Sequence, residues 1–468
     1  MKKTITLSLL ASLALSVQLF GAQEQKNTNA LNVESPKKSD NLISDKITVD
    51  GKVRFRLEQF DGWNQRSYGD TQNKKKPIGN SDDTVLMQQV IAGFTYKHSD
   101  EIIARLSMKD SRAHGWSLSE SKMGNDFWGQ NGYVMNPQEE YFEVYDAHVE
   151  VKNLMTKGLT AKIGRQSIEY GDKRIFGPGL FGNTGRWHWD AAKFDYKWDN
   201  NFVAAWYGGT KLHDPLEASF PDGHEYRGAG LYTHFETTKT GAFEPFAATK
   251  EGQLGTTKDT DHYWLGARLY DQDLYNFYYD FTYAHQGGNK GDIDTDAYGY
   301  VGMVGYQFKE VAWKPKIDYT HVYASGTSNA DKAAGKNSTF DFAYGANDWV
   351  FGWMNIVSWS NIIDDEIKVT FKPTDKMVVL VDHHFYKLAE AEQGMTTIGR
   401  PGASLGLYDD VGQESNLEVR YQYNKDLQIR AWYCYFQPGD VIKTDNKDKG
   451  GSNNASWMAM QVEYKFSL

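Results

Sequence analysis

The 468-residue chain has a single cysteine, Cys434, so it cannot form an internal disulfide and its fold must be held by burial and hydrogen bonds. Beyond the first two dozen residues it lacks any apolar run near the roughly 20 residues that a membrane-spanning helix needs. Hydrophobic residues are only 40% of the chain and the mean hydropathy is −0.63, which excludes a helical membrane protein. An excess of positive charge is also missing. The formal net charge is −10, whereas a phosphate-binding surface needs clustered Lys and Arg, so nucleic acid is not an expected partner. No serine, histidine and carboxylate set stands out as catalytic, and neither an enzymatic activity nor a cofactor is expected.

What the chain does have is aromatic residues, at 14% with 29 Tyr and 14 Trp, on an otherwise polar sequence. That combination fits strands that show lipid only at every second residue. The start, "MKKTITLSLLASLALSVQLFGAQ", has two lysines, an apolar stretch and small residues at Gly21 and Ala22, the layout of a secretory signal peptide over residues 1–22. Residues 23–45 are polar and aperiodic and read as a flexible periplasmic leader. Residues 46–468 are expected to form one transmembrane β-barrel.

Alternation with a period of two recurs along that third part. In "ITVDGKVRFRLEQF", Val49, Val53, Phe55 and Leu57 share one phase, and Lys52, Arg54, Arg56 and Glu58 share the other. Ile102, Ala104, Leu106 and Met108 oppose Arg105 and Lys109. The stretch "LEVRYQYNKDLQIRAWYCYF" repeats the pattern in two halves around a polar turn, setting Leu417, Val419, Tyr433 and Tyr435 against Glu418, Arg420 and Arg430. Short connections such as "KHSDE", "WDNN", "YDQDL" (270–274), "KPTDK" and "YNKDL" alternate with long ones at 61–82, 113–139, 166–186, 326–360, 389–411 and 438–454. The fold class is therefore an all-β, closed antiparallel barrel of roughly 18 strands with short periplasmic turns and long extracellular loops. A soluble β-sandwich also alternates, but it has no need of a secretion signal or of a charged second face in strand after strand. An open edge in lipid would cost several kcal/mol per unpaired backbone group, so the sheet must close.

Three stretches, 164–196, 323–373 and 413–440, resemble the alginate-export family of outer-membrane barrels. The likeness rests on Gly164, Arg165 and Gln166, on Gly171, Asp172 and Arg174, on Arg186 and Asp190, on Ser325, Gly326 and Phe340, and on Phe436, Pro438 and Gly439. It implies an 18-stranded barrel in a Gram-negative outer membrane. It further implies an arginine-rich constriction that passes an acidic polysaccharide, pointing to Arg165, Arg174 and Arg186 with Asp172 and Asp190. Many members of that family are porins whose cargo is unknown, so the family name does not fix a substrate.

By parity, pore-lining residues include Arg54, Arg56, Arg105, Lys109, Arg268, Glu418, Arg420 and Arg430. Inward cations outnumber inward anions, which favours anions despite the negative total. The expected function is passive diffusion of small polar, anionic solutes, and export of an acidic polysaccharide such as alginate is the alternative. Outer-membrane lipid and lipopolysaccharide are the expected surroundings, and a monomer the expected state. An outer-membrane enzyme and an adhesin are the rival classes. "GPGLFG" at 177–182 spells a dinucleotide-type G-x-G-x-x-G but has no helix to follow it. Asp292, Asp294 and Asp296 have calcium-loop spacing, although Ala297 stands where the loop needs glycine. His383 and His384 are adjacent on a strand and point to opposite faces, so they cannot act as a metal pair.

Overall fold

The structure is a computed structural model that describes residues 45–64, 67–68, 83–114, 139–185, 187–211, 224–253, 257–346, 350–397, 402–447 and 453–468. The compact unit is Lys46–Leu468. Its wall is a closed antiparallel barrel of eighteen strands. In chain order these are β1 (Ile47–Asp61), β2 (Asp83–Lys97), β3 (Ile102–His114), β4 (Glu140–Lys152), β5 (Leu159–Ser167), β6 (His188–Trp198), β7 (Asn201–Lys211), β8 (His224–Thr238) and β9 (Gly241–Gly252). The second half comprises β10 (Thr260–Leu274), β11 (Phe277–Lys290), β12 (Ile293–Gln307), β13 (Lys316–Ala324), β14 (Ile362–Thr374), β15 (Met377–Lys387), β16 (Asp410–Gln422), β17 (Leu427–Pro438) and β18 (Ala455–Ser467). Each strand pairs with its chain neighbours. Closure comes from β1, where Phe55 lies opposite Gln88 of β2 on one side and Val462 of β18 on the other.

Side-chain orientation follows the alternation. On β1, Phe55 and Leu57 are 44% and 41% exposed, whereas Arg54 and Arg56 between them are 3% and 2% exposed. Leu106, Phe281, Ile367, Leu417, Tyr433 and Tyr464 repeat the outward apolar row. Apolar side chains outside and ionic ones inside are the reverse of a soluble sheet and suit a wall standing in acyl chains. Connections of two to eight residues lie at the end that carries both barrel termini, where Val49 and Leu468 exchange two backbone hydrogen bonds. One expected turn is displaced. "YDQDL" belongs to β10, and the reversal is made by Tyr275 and Asn276, whose φ values of 54° and 72° give a two-residue hairpin turn of the primed type.

The other end is not uniformly long-looped, since β11 and β12 are joined by Gly291 and Asp292 alone. That tight turn carries Asp292, the first of the three aspartates with calcium-loop spacing. Asp294 and Asp296 are exposed residues of β12, with Asp296 bonded to His285 at 3.0 Å, and are not wrapped around a common centre. Helix α1 (Asn329–Ala333), capped by Ser328, and helix α2 (Asp440–Asp445) are short pieces within two of the long loops.

Near the long-loop ends the inward phase gains large aromatic residues beside its polar ones. Trp189, Trp206, Trp264, Trp432, Trp457 and Phe436 point inward and are buried. They pack against the described parts of two loops, 168–187 and 340–361, that fold into the barrel and supply Ile175, Phe176, Trp187, Phe340, Tyr344, Phe351, Trp353, Met354 and Trp359. The loops also pair with each other. Tyr344 N donates to Ile175 O at 3.1 Å, Gly177 N to Tyr344 O at 2.9 Å, and Ala346 N to Lys173 O at 3.0 Å. Buried indoles donate to loop and wall carbonyls, Trp187 to Gly345 at 2.9 Å, Trp264 to Asp341 at 2.6 Å and Trp359 to Tyr323 at 2.9 Å. The lumen is thus a charged bore at the turn end and, at the loop end, an apolar core with buried charges such as Glu140, Lys250, Asp364 and Glu414 set into it.

Candidate functional site in the charged lumen

The inserted loop 168–187 is held at both of its extremes. At one, Gly171 has φ +60° and a Cβ there would stand 2.7 Å from Tyr232 Oη, so only glycine lets the tip lie this close to β8. Arg174 pairs with Asp172 at this tip. Burial pushes the Asp172 carboxyl up, but the Arg174 and Arg268 guanidiniums outweigh it and hold it below the ordinary range. At the other extreme Asn183 is clamped to β2 and β3. Its carbonyl accepts from Gln89 Nε2 at 2.6 Å and Ser111 Oγ at 2.7 Å, and its amide donates to Arg112 O at 3.0 Å and Gln88 O at 3.3 Å. Arg54 donates to the carbonyls of Leu180, Phe181 and Gly182 at 2.9 to 3.1 Å, and Arg56 to Phe181 O at 2.8 Å. Lys109 donates to Thr184 O. Arg54, Arg56 and Lys109 therefore face the lumen, as parity requires, and serve as loop anchors there.

Arg165 pairs with Asp190, whereas Arg174 pairs with Asp172. Arg165 is bracketed by Glu143 at 2.7 Å and by both oxygens of Asp190 at 2.8 Å, and His224 reaches Asp190 at 3.2 Å. Lys109 meets Glu140 at 2.5 Å, and Lys211 bridges Glu140 and Glu143. The three cations Lys109, Lys211 and Arg165 thus balance Glu140, Glu143 and Asp190. Arg268 is likewise paired, with Asp280 at 2.6 and 2.8 Å and with Glu244 at 2.9 Å. Arg105 is closer to the turns and forks onto Asp50 at 2.7 and 3.0 Å, with Asp146 at 3.1 Å. Arg186 lies outside the described residues.

A net positive wall stands beneath Phe181. Glu418, 1% exposed, is held between Arg420, at 2.6 and 2.8 Å, and Arg430, whose Nε lies 2.8 Å away. Arg56 pairs with Glu58 at 2.5 Å, and its guanidinium lies 4.3 Å from the Phe181 ring centroid; that of Arg430 is 5.8 Å from the same centroid. Lys52, Arg54, Arg56, Arg420 and Arg430 therefore face three carboxylates, Glu58, Glu418 and Glu463. Arg420 is the most open, with 38% of its side chain exposed. Beside this positive wall, β14, β15 and the loop-side half of β16 carry the opposite balance, with Asp364, Glu366, Asp382 and Glu414 buried around Lys368 and His384. Among the described residues, Glu366, Asp382 and His384 are the group whose donor atoms lie close enough together for one metal ion. Alternation along single strands does not bring out Glu140, Glu143, Lys211, Asp364 and Asp382, or the carboxylates around His384, because these partners come from register across strands.

With this geometry in hand, comparison with known proteins is decisive for the family. The profile of the family described as Alginate export matches residues 58–456. The chain belongs to this family. A search of curated proteins finds no match. Among solved outer-membrane porin structures, this family member is similar to Pseudomonas aeruginosa OccK5 (OpdH), with 10% identity and a TM-score of 0.58 over 90% of this chain and 98% of that one. Acinetobacter baumannii OccAB1 gives 11% and 0.58 over 93% and 100%. P. aeruginosa OpdK, solved with vanillate, gives 11% and 0.56 over 90% and 99%. These likenesses establish the fold. Fold and family together place the chain in the bacterial outer membrane as a channel.

Proposed function

We propose that this channel passes small polar solutes by diffusion and prefers anions. The observation that carries this reading is the cation excess beneath the inserted loop, where Lys52, Arg54, Arg56, Arg420 and Arg430 face Glu58, Glu418 and Glu463 and Arg420 is open to the bore. The guanidinium fork can bind a carboxylate bidentately, and a fixed positive wall lowers the energy of a passing anion. Vanillate, the molecule present with OpdK, is a carboxylate of the class proposed. The apolar filling at the loop end weighs against a threaded polymer, which would need a continuous hydrated path wide enough for a sugar chain.

The same reading has the chain exported by its first 22 residues and working as a monomer, with lipid and lipopolysaccharide around it. Liposome swelling tests the solute preference. Vesicles holding the full-length mature barrel should swell faster in a small organic acid salt than in a neutral sugar of matched size. Equal rates, or a faster rate for organic cations, would overturn the anion preference.

A further inference from the structure

The geometry points to a divalent transition-metal site in the lumen wall, made by Glu366, Asp382 and His384. The three residues come from adjacent strands in fixed register. Glu366 of β14 lies opposite His384 of β15, and Asp382 lies opposite Asn416 of β16. His384 Nδ1 is 3.0 Å from both oxygens of Asp364, so the Nδ1 proton is committed to that carboxylate. This leaves Nε2 pointing at Asp382 Oδ1, 3.3 Å away, and at Glu366 Oε1, 3.9 Å away. Two donor atoms bound to one ion at about 2.0–2.2 Å stand about 3.0–3.4 Å apart, so Asp382 is at ligand separation from Nε2 and Glu366 a few tenths of an ångström beyond it, with all three donor atoms within 4.8 Å of one another. Carboxylate, histidine and metal in line is the usual arrangement for fixing a ligand histidine, and Asp364 supplies that outer carboxylate.

Two further observations favour a cation. Asp364, Glu366, Asp382 and Glu414 are all buried, and Lys368, 2.9 Å from Glu366 and 3.2 Å from Asp318, is the lysine set among them. Burying that much negative charge is costly without a matching positive charge. Asn416 is 3% exposed and its Nδ2 donates to Asp382 Oδ1 at 2.6 Å, yet its Oδ1 has no hydrogen-bond partner. Half a turn of that amide would set Oδ1 against the Asp382 carboxylate, a contact between two oxygens that a shared cation makes favourable. One imidazole nitrogen with carboxylate and amide oxygens suits Zn²⁺, Co²⁺ or Ni²⁺ better than Ca²⁺. Occupancy would add two positive charges to the acidic side of the bore while Lys368 keeps Asp318.

The test uses the full barrel in detergent, stripped with a chelator and titrated with Co²⁺ and Zn²⁺. One equivalent should bind, and the Zn²⁺ complex should show a single imidazole with oxygen neighbours by X-ray absorption. His384→Gln should lose at least about 100-fold in affinity, and Asp364→Asn, which keeps every ligand, about 10- to 100-fold. Asp296→Asn, outside the cluster, should bind as wild type. A folded wild-type barrel that binds no Co²⁺, a folded His384→Gln barrel that binds it unchanged, or an absorption spectrum without one imidazole would each overturn the site. The spectrum needs no variant, so it decides the matter even if His384→Gln does not refold.

Discussion

Replacing Arg420 with glutamine removes the most exposed guanidinium of the positive wall while Arg430 still covers Glu418, so the barrel should fold and only the field in the bore should change. A unit charge about 8 Å from a passing ion in water is worth about 0.5 kcal/mol before screening. A Debye length of about 10 Å at 0.1 M salt cuts this to about 0.2 kcal/mol, and one of about 30 Å at 0.01 M leaves about 0.4 kcal/mol. Anion and cation feel the change with opposite sign. The anion-to-cation permeability ratio should therefore fall about twofold at 0.1 M salt and about fourfold at 0.01 M. Reversal potentials of single barrels in a planar bilayer under a KCl gradient read this ratio directly. A ratio unchanged at both salt concentrations, or a fall that does not grow as salt is lowered, would refute the electrostatic reasoning.

Asn183→Ala removes bonds to Arg112 O and Gln88 O and one from Arg54, each worth about 1 kcal/mol, so loop 168–187 should loosen and open-channel noise should rise in single-channel records. Arg165→Met leaves Glu143 and Asp190 without their guanidinium and should destabilise the barrel by about 3–5 kcal/mol in a urea titration in detergent. Trp264→Ala, which empties a fully buried site and frees Asp341 O, should cost about 3–5 kcal/mol in the same assay. Phe281→Lys, on the outward face of β11, should weaken folding into vesicles by about 2–4 kcal/mol; a cost near zero would mean that this face meets water.

The wall was legible because β1, β3 and β16 obey strict parity at the turn end, where Arg54 and Arg56 or Glu418 and Arg420 alternate with Phe55, Leu57, Leu417 and Val419. Parity is a local property, so one strand suffices to read it. The filling at the loop end was not legible for the same reason. Trp189, Trp206, Trp264, Trp432 and Trp457 add large aromatic residues to the inward phase there, and what they pack against arrives from loops 168–187 and 340–361, far away in sequence. The turn at Tyr275 and Asn276 was missed because positive φ at a tyrosine has no compositional signal. For His383 and His384 the local rule held, since His384 is buried inward while His383 bonds Ser415 on the exposed side. Its carboxylate neighbours came from inter-strand register, which alternation alone does not set.

All of this depends on which way the two phases of each strand point. Spin labels placed singly along β16, in a background with Cys434 replaced, read that orientation residue by residue in lipid vesicles. Labels at Leu417 and Val419 should be relaxed by dissolved oxygen, and labels at Arg420 and Gln422 by a water-soluble nickel chelate, with the two patterns out of phase. Accessibility in phase at all four positions, or nickel contact at Leu417 and Val419, would contradict a lipid-facing apolar wall around a charged bore.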